Sequence, residues 1–200
     1  MNAGMADDAH LIETRLDQTE LFRGRFLHAF RDTVELPDGR AAVREYVVHP
    51  GAVMVIPLIE VEGETHVVLE RQFRYPVGQV MTEFPAGKLD AGEDPWVCAQ
   101  RELLEETGYR AKEWARVGRI HPVIAYSTEA IDVWFARGLV AGPRQLDAGE
   151  FLDVFTTPAH TLVAACLSGS VTDAKTVSGA LWLQNVLAGA WPLTWQTIGT

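Results

Sequence analysis

The chain has 200 residues, 48% of them hydrophobic and 22% charged, which fits a soluble globular protein able to bury a core without metal or disulfide staples. Seventeen basic against twenty-seven acidic residues give a formal charge of −10, a surface that disfavours sequence-independent binding to DNA or RNA phosphates. Cys98 and Cys166 are too few for a disulfide framework and lack metal-ligand spacing. No apolar run approaches the roughly 18–20 residues of a membrane span, and MNAGMADDAH has no basic signal-peptide start, so a cytoplasmic protein is expected.

Residues 1–20 are polar and read as frayed. Phe22 to Leu36 reads as a strand, Pro37-Asp38-Gly39 as a turn and Ala41 to His49 as the returning strand. Ala52 to Val61 and His66 to Phe73 make a second strand pair around Glu62-Gly63-Glu64, and Val80 to Phe84 is a short strand leading into Pro85-Ala86-Gly87. Then the period changes. Asp94 suits an N-cap, Pro95 the first helical position and Gly108 the position past the last turn, while Trp96, Ala99 and Leu103 mark an apolar helix face. Strands follow around Arg116–Ile120, Ile131–Ala136 and Phe151–Thr156. A helix starting with Pro158 and another from about Asp173 to Leu187, with Gly189 beyond it, complete the pattern. Early hairpins and irregular alternation predict an α/β fold with a mixed sheet covered by helices, not a doubly wound parallel sheet. Residues 1–50 read as a strand-rich extension to a main domain over 51–200.

The informative stretch is Gly87 to Tyr109, GKLDAGEDPWVCAQRELLEETGY. Glu102 and Glu106 are four apart and share one helix face, with Glu105 beside them. Like charges at this spacing cost a few tenths of a kcal/mol, and acids in a last turn oppose the macrodipole. A cation on that face removes both penalties, and hard oxygen ligands imply magnesium, manganese or calcium rather than zinc. Taken alone, the helix could equally be a solvated acidic end with Arg101 paired to Glu105.

The loop before it decides between these. Gly87, Glu93, Arg101-Glu102, Glu105-Glu106 and Gly108, with apolar Leu103 and Tyr109, fill every fixed place of the Nudix box: glycine, five residues, glutamate, seven residues, then Arg-Glu-apolar-x-Glu-Glu-x-Gly-apolar. REYVVHPGAV, RQFRYPVG, EFPAGKLDAGE and VTDAKT also resemble segments of the ADP-ribose pyrophosphatase branch of the Nudix hydrolases, so the likeness runs from about Gly24 to Leu187.

That resemblance implies a Nudix-type α/β/α sandwich and hydrolysis of the pyrophosphate bond of a nucleoside diphosphate sugar, with ADP-ribose giving AMP and ribose 5-phosphate. It implies magnesium, or manganese in its place, held by Glu102, Glu106 and the Ala86 carbonyl. The metals would neutralise the bridging pyrophosphate and orient an attacking water. From the late acidic loop LDAGEFLDV, Glu150 is the choice over Asp147 for base or further metal ligand, and Glu105 is the other catalytic candidate. Arg101 and Glu93 are expected to brace the loop-helix joint. Glu129 is placed against the substrate's sugar, and Arg74 as a phosphate or sugar clamp, with Arg44 a weaker substrate-binding candidate. Phe26, His28, Phe30 and Tyr46 remain alternatives for stacking a base, while most of the tryptophans read as core or surface cover. An N-terminal strand layer in this branch exchanges contacts with a second subunit, so a homodimer is expected. No nucleic-acid or membrane partner is.

One position departs from the branch. Where ADP-ribose-cleaving members carry a proline about sixteen residues past the box glycine, this chain has Ile124, with Pro122 nearby, in HPVIAYSTE. The loop helps select the substrate, so GDP-mannose and other nucleotide sugars compete with ADP-ribose. A non-catalytic nucleotide-sensing module of the same fold would be expected to have lost box glutamates, and all four are kept. RNA-cap or dinucleoside-polyphosphate hydrolysis fits the flanking segments poorly.

Overall fold

The computed structural model describes residues 8–198, which form two compact units. The first comprises Met1–His49 with Val123–Glu129, the second Pro50–Pro122 with Ala130–Thr200. Among the described residues no helix is long and apolar enough to cross a membrane.

In the first unit, strands β1 (Thr14–Arg23), β2 (His28–Glu35) and β3 (Ala41–Val48) form an antiparallel sheet in that order. Two sequence readings need correction here. The described part of residues 1–20 is not all frayed, because Thr14 to Glu20 pairs along β2. The span read as one strand from Phe22 is broken after Arg23 by a turn in which Gly24 N–H donates to the Leu27 carbonyl at 2.8 Å. The hydrophobic pattern hid both features, since every residue of β1 is exposed and no buried face imposes an alternation. Val123–Glu129 joins this unit through backbone bonds: Val47 N–H donates to the Tyr126 carbonyl at 2.8 Å and Thr128 N–H to the Val47 carbonyl at 3.0 Å.

The second unit is built on an eight-stranded mixed sheet. Its strands are β4 (Ala52–Val61), β5 (Glu64–Arg74), β6 (Gln79–Glu83), β7 (Ala86–Lys88), β8 (Tyr109–Ile120), β9 (Ile131–Ala141), β10 (Leu152–Pro158) and β11 (Gln196–Thr197). The order is β10-β5-β4-β9-β8-β11, with β6 on β5 and β7 on β4. Among the described residues of this sheet only the β4–β9 pair is parallel.

Strand β4 explains the layering. Its first six residues are all buried, as expected of a strand covered on both faces. Met54 and Ile56 pack with Phe84, Leu162 and Leu183 on the side of helices α2 (Ala159–Leu167) and α3 (Ala174–Leu187). Val53 and Val55 pack with Cys98, Ala99 and Leu103 of helix α1 (Pro95–Thr107), beside Trp114 and Trp134. This is the expected α/β/α sandwich. Strands β8 and β9 each extend further than the sequence pattern suggested: β8 begins at Tyr109 and β9 runs on to Ala141.

The helix ends follow the local chemistry. Asp94 accepts from Trp96 N–H at 2.8 Å, Pro95 opens α1, and Gly108 ends it at φ 76°, a left-handed conformation that favours glycine. Asp173 caps α3 by accepting from Thr176 N–H at 2.9 Å. Pro158 lies one residue before the first residue of α2, at φ −52° and ψ 136°, not inside it.

Candidate active site

Residues from three elements converge beside the loop between β7 and α1. Helix α1 turns Glu102 and Glu106 inward, so that they are 9% and 3% exposed. Strand β7 passes over them with Gly87 at the crossing. A β-carbon there would overlap the Glu102 carboxylate, so glycine is what lets the backbone lie on that side chain. Ala86 N–H donates to Glu106 Oε2 at 3.0 Å, which sets the Ala86 peptide beside that carboxylate. The third element is the loop before β10. Its Glu150 bears electrostatically on both Glu102 and Glu106, and accepts weakly from Gln72 Nε2 at 3.4 Å.

Arg101 organises the outer side of this face. It donates to Glu93 through two nitrogens at 2.9 and 2.8 Å, to Glu102 Oε1 at 2.8 Å, to Glu105 Oε2 at 2.9 Å and to the Lys88 carbonyl at 3.2 Å. Glu93 in turn accepts from Asp90 N–H at 3.0 Å. Loop and helix are thereby bound together. The Arg101 contact, ahead of the Asp90 N–H, holds Glu93 at a pKa of about 2. Glu105 lies at this bracing edge, on Arg101.

The inner carboxylates behave differently. Burial pushes Glu102 up to about 7, with Glu105 and Glu150 adding to the rise and Arg101 opposing it. Glu106 is also raised well above the usual carboxylate range, by burial first and then by Glu70, Glu102 and Glu150. Glu70, on β5, was not singled out from the sequence. It is fully buried, its two oxygens have no hydrogen-bond partner among the described residues, and burial followed by Glu83 raises it to about 8. An unsatisfied buried polar group costs about 1–3 kcal/mol, and more if charged.

Glu83 shows the contrast. It is equally enclosed, but Arg74 binds it through Nε and Nη2 at 2.7 and 2.8 Å and Lys175 also donates to it. Burial alone would raise Glu83, and those two cations outweigh it and hold the carboxyl low. Arg74 is therefore engaged in a bidentate ion pair, with its side chain 39% exposed.

Two of the expected substrate-binding residues lie in the first unit. Arg44 is ion-paired with Glu13 and donates to the Val43 carbonyl at 3.0 Å. Glu129 lies 3.6 Å from His49 Nε2, and its N–H donates to Ser127 Oγ at 3.1 Å. The aromatic alternatives cluster in the same unit, with ring centroids 4.2 Å apart for His28 and Phe30 and 6.0 Å for Phe30 and Tyr46. Trp96 packs on Trp114 and Trp134 in the core, at 5.2 and 4.8 Å.

Among the described residues, no three acidic, histidine or cysteine side chains already close on one point as a metal shell. The donor set nevertheless fits a hard divalent cation. Its carboxylates, Glu102 and Glu106, are buried and mutually repelling, while the Gly87 backbone lies against Glu102 where a side chain would exclude other groups. A cation would satisfy all of them together.

A mixed sheet between helices, carrying an Arg-braced box of inward glutamates, defines a hydrolase of the Nudix class. The NUDIX domain family matches residues 48–176, and the nucleoside diphosphate sugar hydrolase N-terminal domain matches residues 13–47. The chain belongs to the Nudix family. It is 36% identical over 176 residues to the ADP-ribose pyrophosphatase of Bacillus subtilis (strain 168), covering 87% of this chain and 94% of that one. It is 38% identical over 182 residues to the methanol dehydrogenase activator of Bacillus methanolicus, again covering 87% and 94%. The crystal structure of an ADP compounds hydrolase shares the fold, with a TM-score of 0.78 at 23% identity over 88% of this chain and 95% of that one.

Proposed function

We propose that the protein hydrolyses the pyrophosphate bond of nucleoside diphosphate sugars in the cytoplasm, with ADP-ribose converted to AMP and ribose 5-phosphate. The observation that carries this is the pair of inward carboxylates Glu102 and Glu106 held against the Ala86–Gly87 backbone. The relative named ADP-ribose pyrophosphatase supports the chemistry.

Glu102, Glu106 and the Ala86 carbonyl would hold magnesium, for which manganese can substitute. When bound, that ion supplies charge neutralisation at the pyrophosphate and acidifies water. The remaining work falls to the chain. Glu150, on a loop rather than on the rigid helix, is the base that takes the proton from the attacking water. Arg101 and Glu93 keep α1 and the preceding loop in register, and Glu105 supports Arg101 at that edge. Arg74 grips the phosphates or distal sugar while its ion pair with Glu83 fixes its direction. Glu129 meets the sugar, and Arg44 adds a weaker substrate contact.

The first unit supports a homodimer. Of its three strands only Asp32 and Val34 are buried, while Leu16, Leu21, Phe22 and Val43 are exposed. A second copy would cover this apolar surface.

Ile124 favours a second reading of substrate range. Ile124 is 82% exposed at a position where a proline is expected, and a differently shaped loop there would favour nucleotide sugars larger than ADP-ribose, including GDP-mannose. Incubation with ADP-ribose and magnesium, with AMP and ribose 5-phosphate resolved by chromatography, tests the proposal. Failure to cleave ADP-ribose or any other nucleotide sugar would overturn it.

A further inference from the structure

We propose that Glu70 is part of the divalent-cation site, an additional carboxylate supplied from strand β5 beside Glu106. The inference rests on reading the Glu102–Glu106 face as that site. Three observations support it. Glu70 is fully buried, and neither of its oxygens has a hydrogen-bond partner among the described residues. Its carboxyl meets that of Glu106, another acid, with which it can share at most one proton. The cations nearest to it, Arg74 and Lys175, are both bound to Glu83, the residue opposite Glu70 on β6.

The position itself makes the carboxyl unusual. Val67, Val68 and Leu69 precede it on the same strand, all buried, so an apolar side chain would fill this place without a desolvation cost. A carboxylate there needs a donor or a cation of its own, and the chain offers it only a proton shared with Glu106 and two cations already bound to Glu83. Magnesium and manganese take several oxygen ligands at short range, and a carboxylate pair that meets face to face becomes favourable once an ion lies between them. The box motif omits Glu70 because it comes from another strand. The fold brings it to Glu106.

The test uses manganese alone, without nucleotide, on the full chain. Free Mn2+ is followed by electron paramagnetic resonance, and thermal unfolding is recorded in EDTA and in Mn2+. Glu70→Gln keeps the shape and removes the charge. It should weaken Mn2+ binding by about tenfold or more, the scale seen when groups supporting metal ligands are removed. In EDTA it should unfold no lower than the parent, and its stabilisation by Mn2+ should shrink. Should Glu70→Gln fail to fold, Glu70→Leu, which matches the apolar neighbours, carries the same comparison. Glu106→Gln separates the two claims. If it loses Mn2+ while the Glu70 variant binds within tenfold of the parent, Glu70 is a structural carboxyl and the inference falls alone. If Glu106→Gln keeps its affinity, the metal reading of the box falls and takes the inference with it.

Discussion

Gly87 and Glu102 compete for one place: a β-carbon on the glycine would overlap the glutamate's carboxylate. The glycine that opens the box is therefore tied to the glutamate fifteen residues later by contact as well as by motif. Gly87→Ala should push the carboxylate away while leaving the apolar packing of α1 in place. We expect Mn2+ affinity and kcat/KM to fall by about two orders of magnitude, or roughly 2.7 kcal/mol in the barrier, with a near-normal circular dichroism spectrum. Retention of parental activity would show that Glu102 can sit elsewhere.

Glu106→Gln removes a charge that α1 points into the site and keeps its shape. Turnover should drop by about three orders of magnitude or more, and the protein should still fold, since burial of the neutral amide costs less than burial of a carboxylate. Magnesium-dependent turnover close to the parent's would refute the ligand role.

Metal removal should reverse the usual dependence of stability on pH. Burial raises Glu102 to about 7 and Glu70 to about 8, whereas in the unfolded chain both titrate near 4.5. Between those values the folded, metal-free protein binds more protons than the unfolded one, so its stability falls as pH rises. In EDTA the unfolding temperature should decline from about pH 5 to pH 8. Saturating magnesium or manganese should remove that decline, because the cation takes over the charge. A profile in EDTA that rises through this window would contradict the buried, unpaired state of these acids.

Much of this site was legible before the fold. The box is contiguous, and a helix puts residues four apart on one face, so Glu102 and Glu106 could be paired from spacing alone. The caps Asp94 and Gly108 were legible for the same local reason. Glu70 was not, because it lies in the run HVVLERQF, where a glutamate after three apolar residues reads as the start of an exposed stretch. Its burial depends on β6, β10 and α1 arriving from elsewhere. The Arg74–Glu83 pair was hidden similarly, being set by the register of β5 against β6. Strand β1 escaped detection because it has no buried face in the chain.

Glu150 and Glu129 should fail in different ways. Glu150 bears electrostatically on Glu102 and Glu106, so Glu150→Gln should lower kcat at least tenfold more than it alters KM. Glu129 lies beside His49 in the first unit, so Glu129→Gln should raise KM several-fold and largely spare kcat. The reverse pattern would exchange their roles.

The exposed apolar surface of the first unit leads to a prediction about assembly and substrate together. Light scattering at micromolar concentration should give twice the 22.1 kDa of the chain, and Phe22→Glu, which places a charge on that surface, should shift the equilibrium toward monomer. The box binds a pyrophosphate whatever is attached to it, so discrimination must come from residues outside α1. Glu129, Arg74 and the 121–129 loop are the candidates. With Ile124 where a proline is expected, that loop should tolerate more than ribose. ADP-ribose should be cleaved, at least one other nucleotide sugar should be cleaved measurably, and intact nucleoside triphosphates should be poor substrates because they offer no distal sugar to hold. A panel of these compounds with magnesium checks all three. If a triphosphate were hydrolysed more efficiently than every nucleotide sugar, the assignment to nucleotide-sugar hydrolysis would fail while the metal site stood.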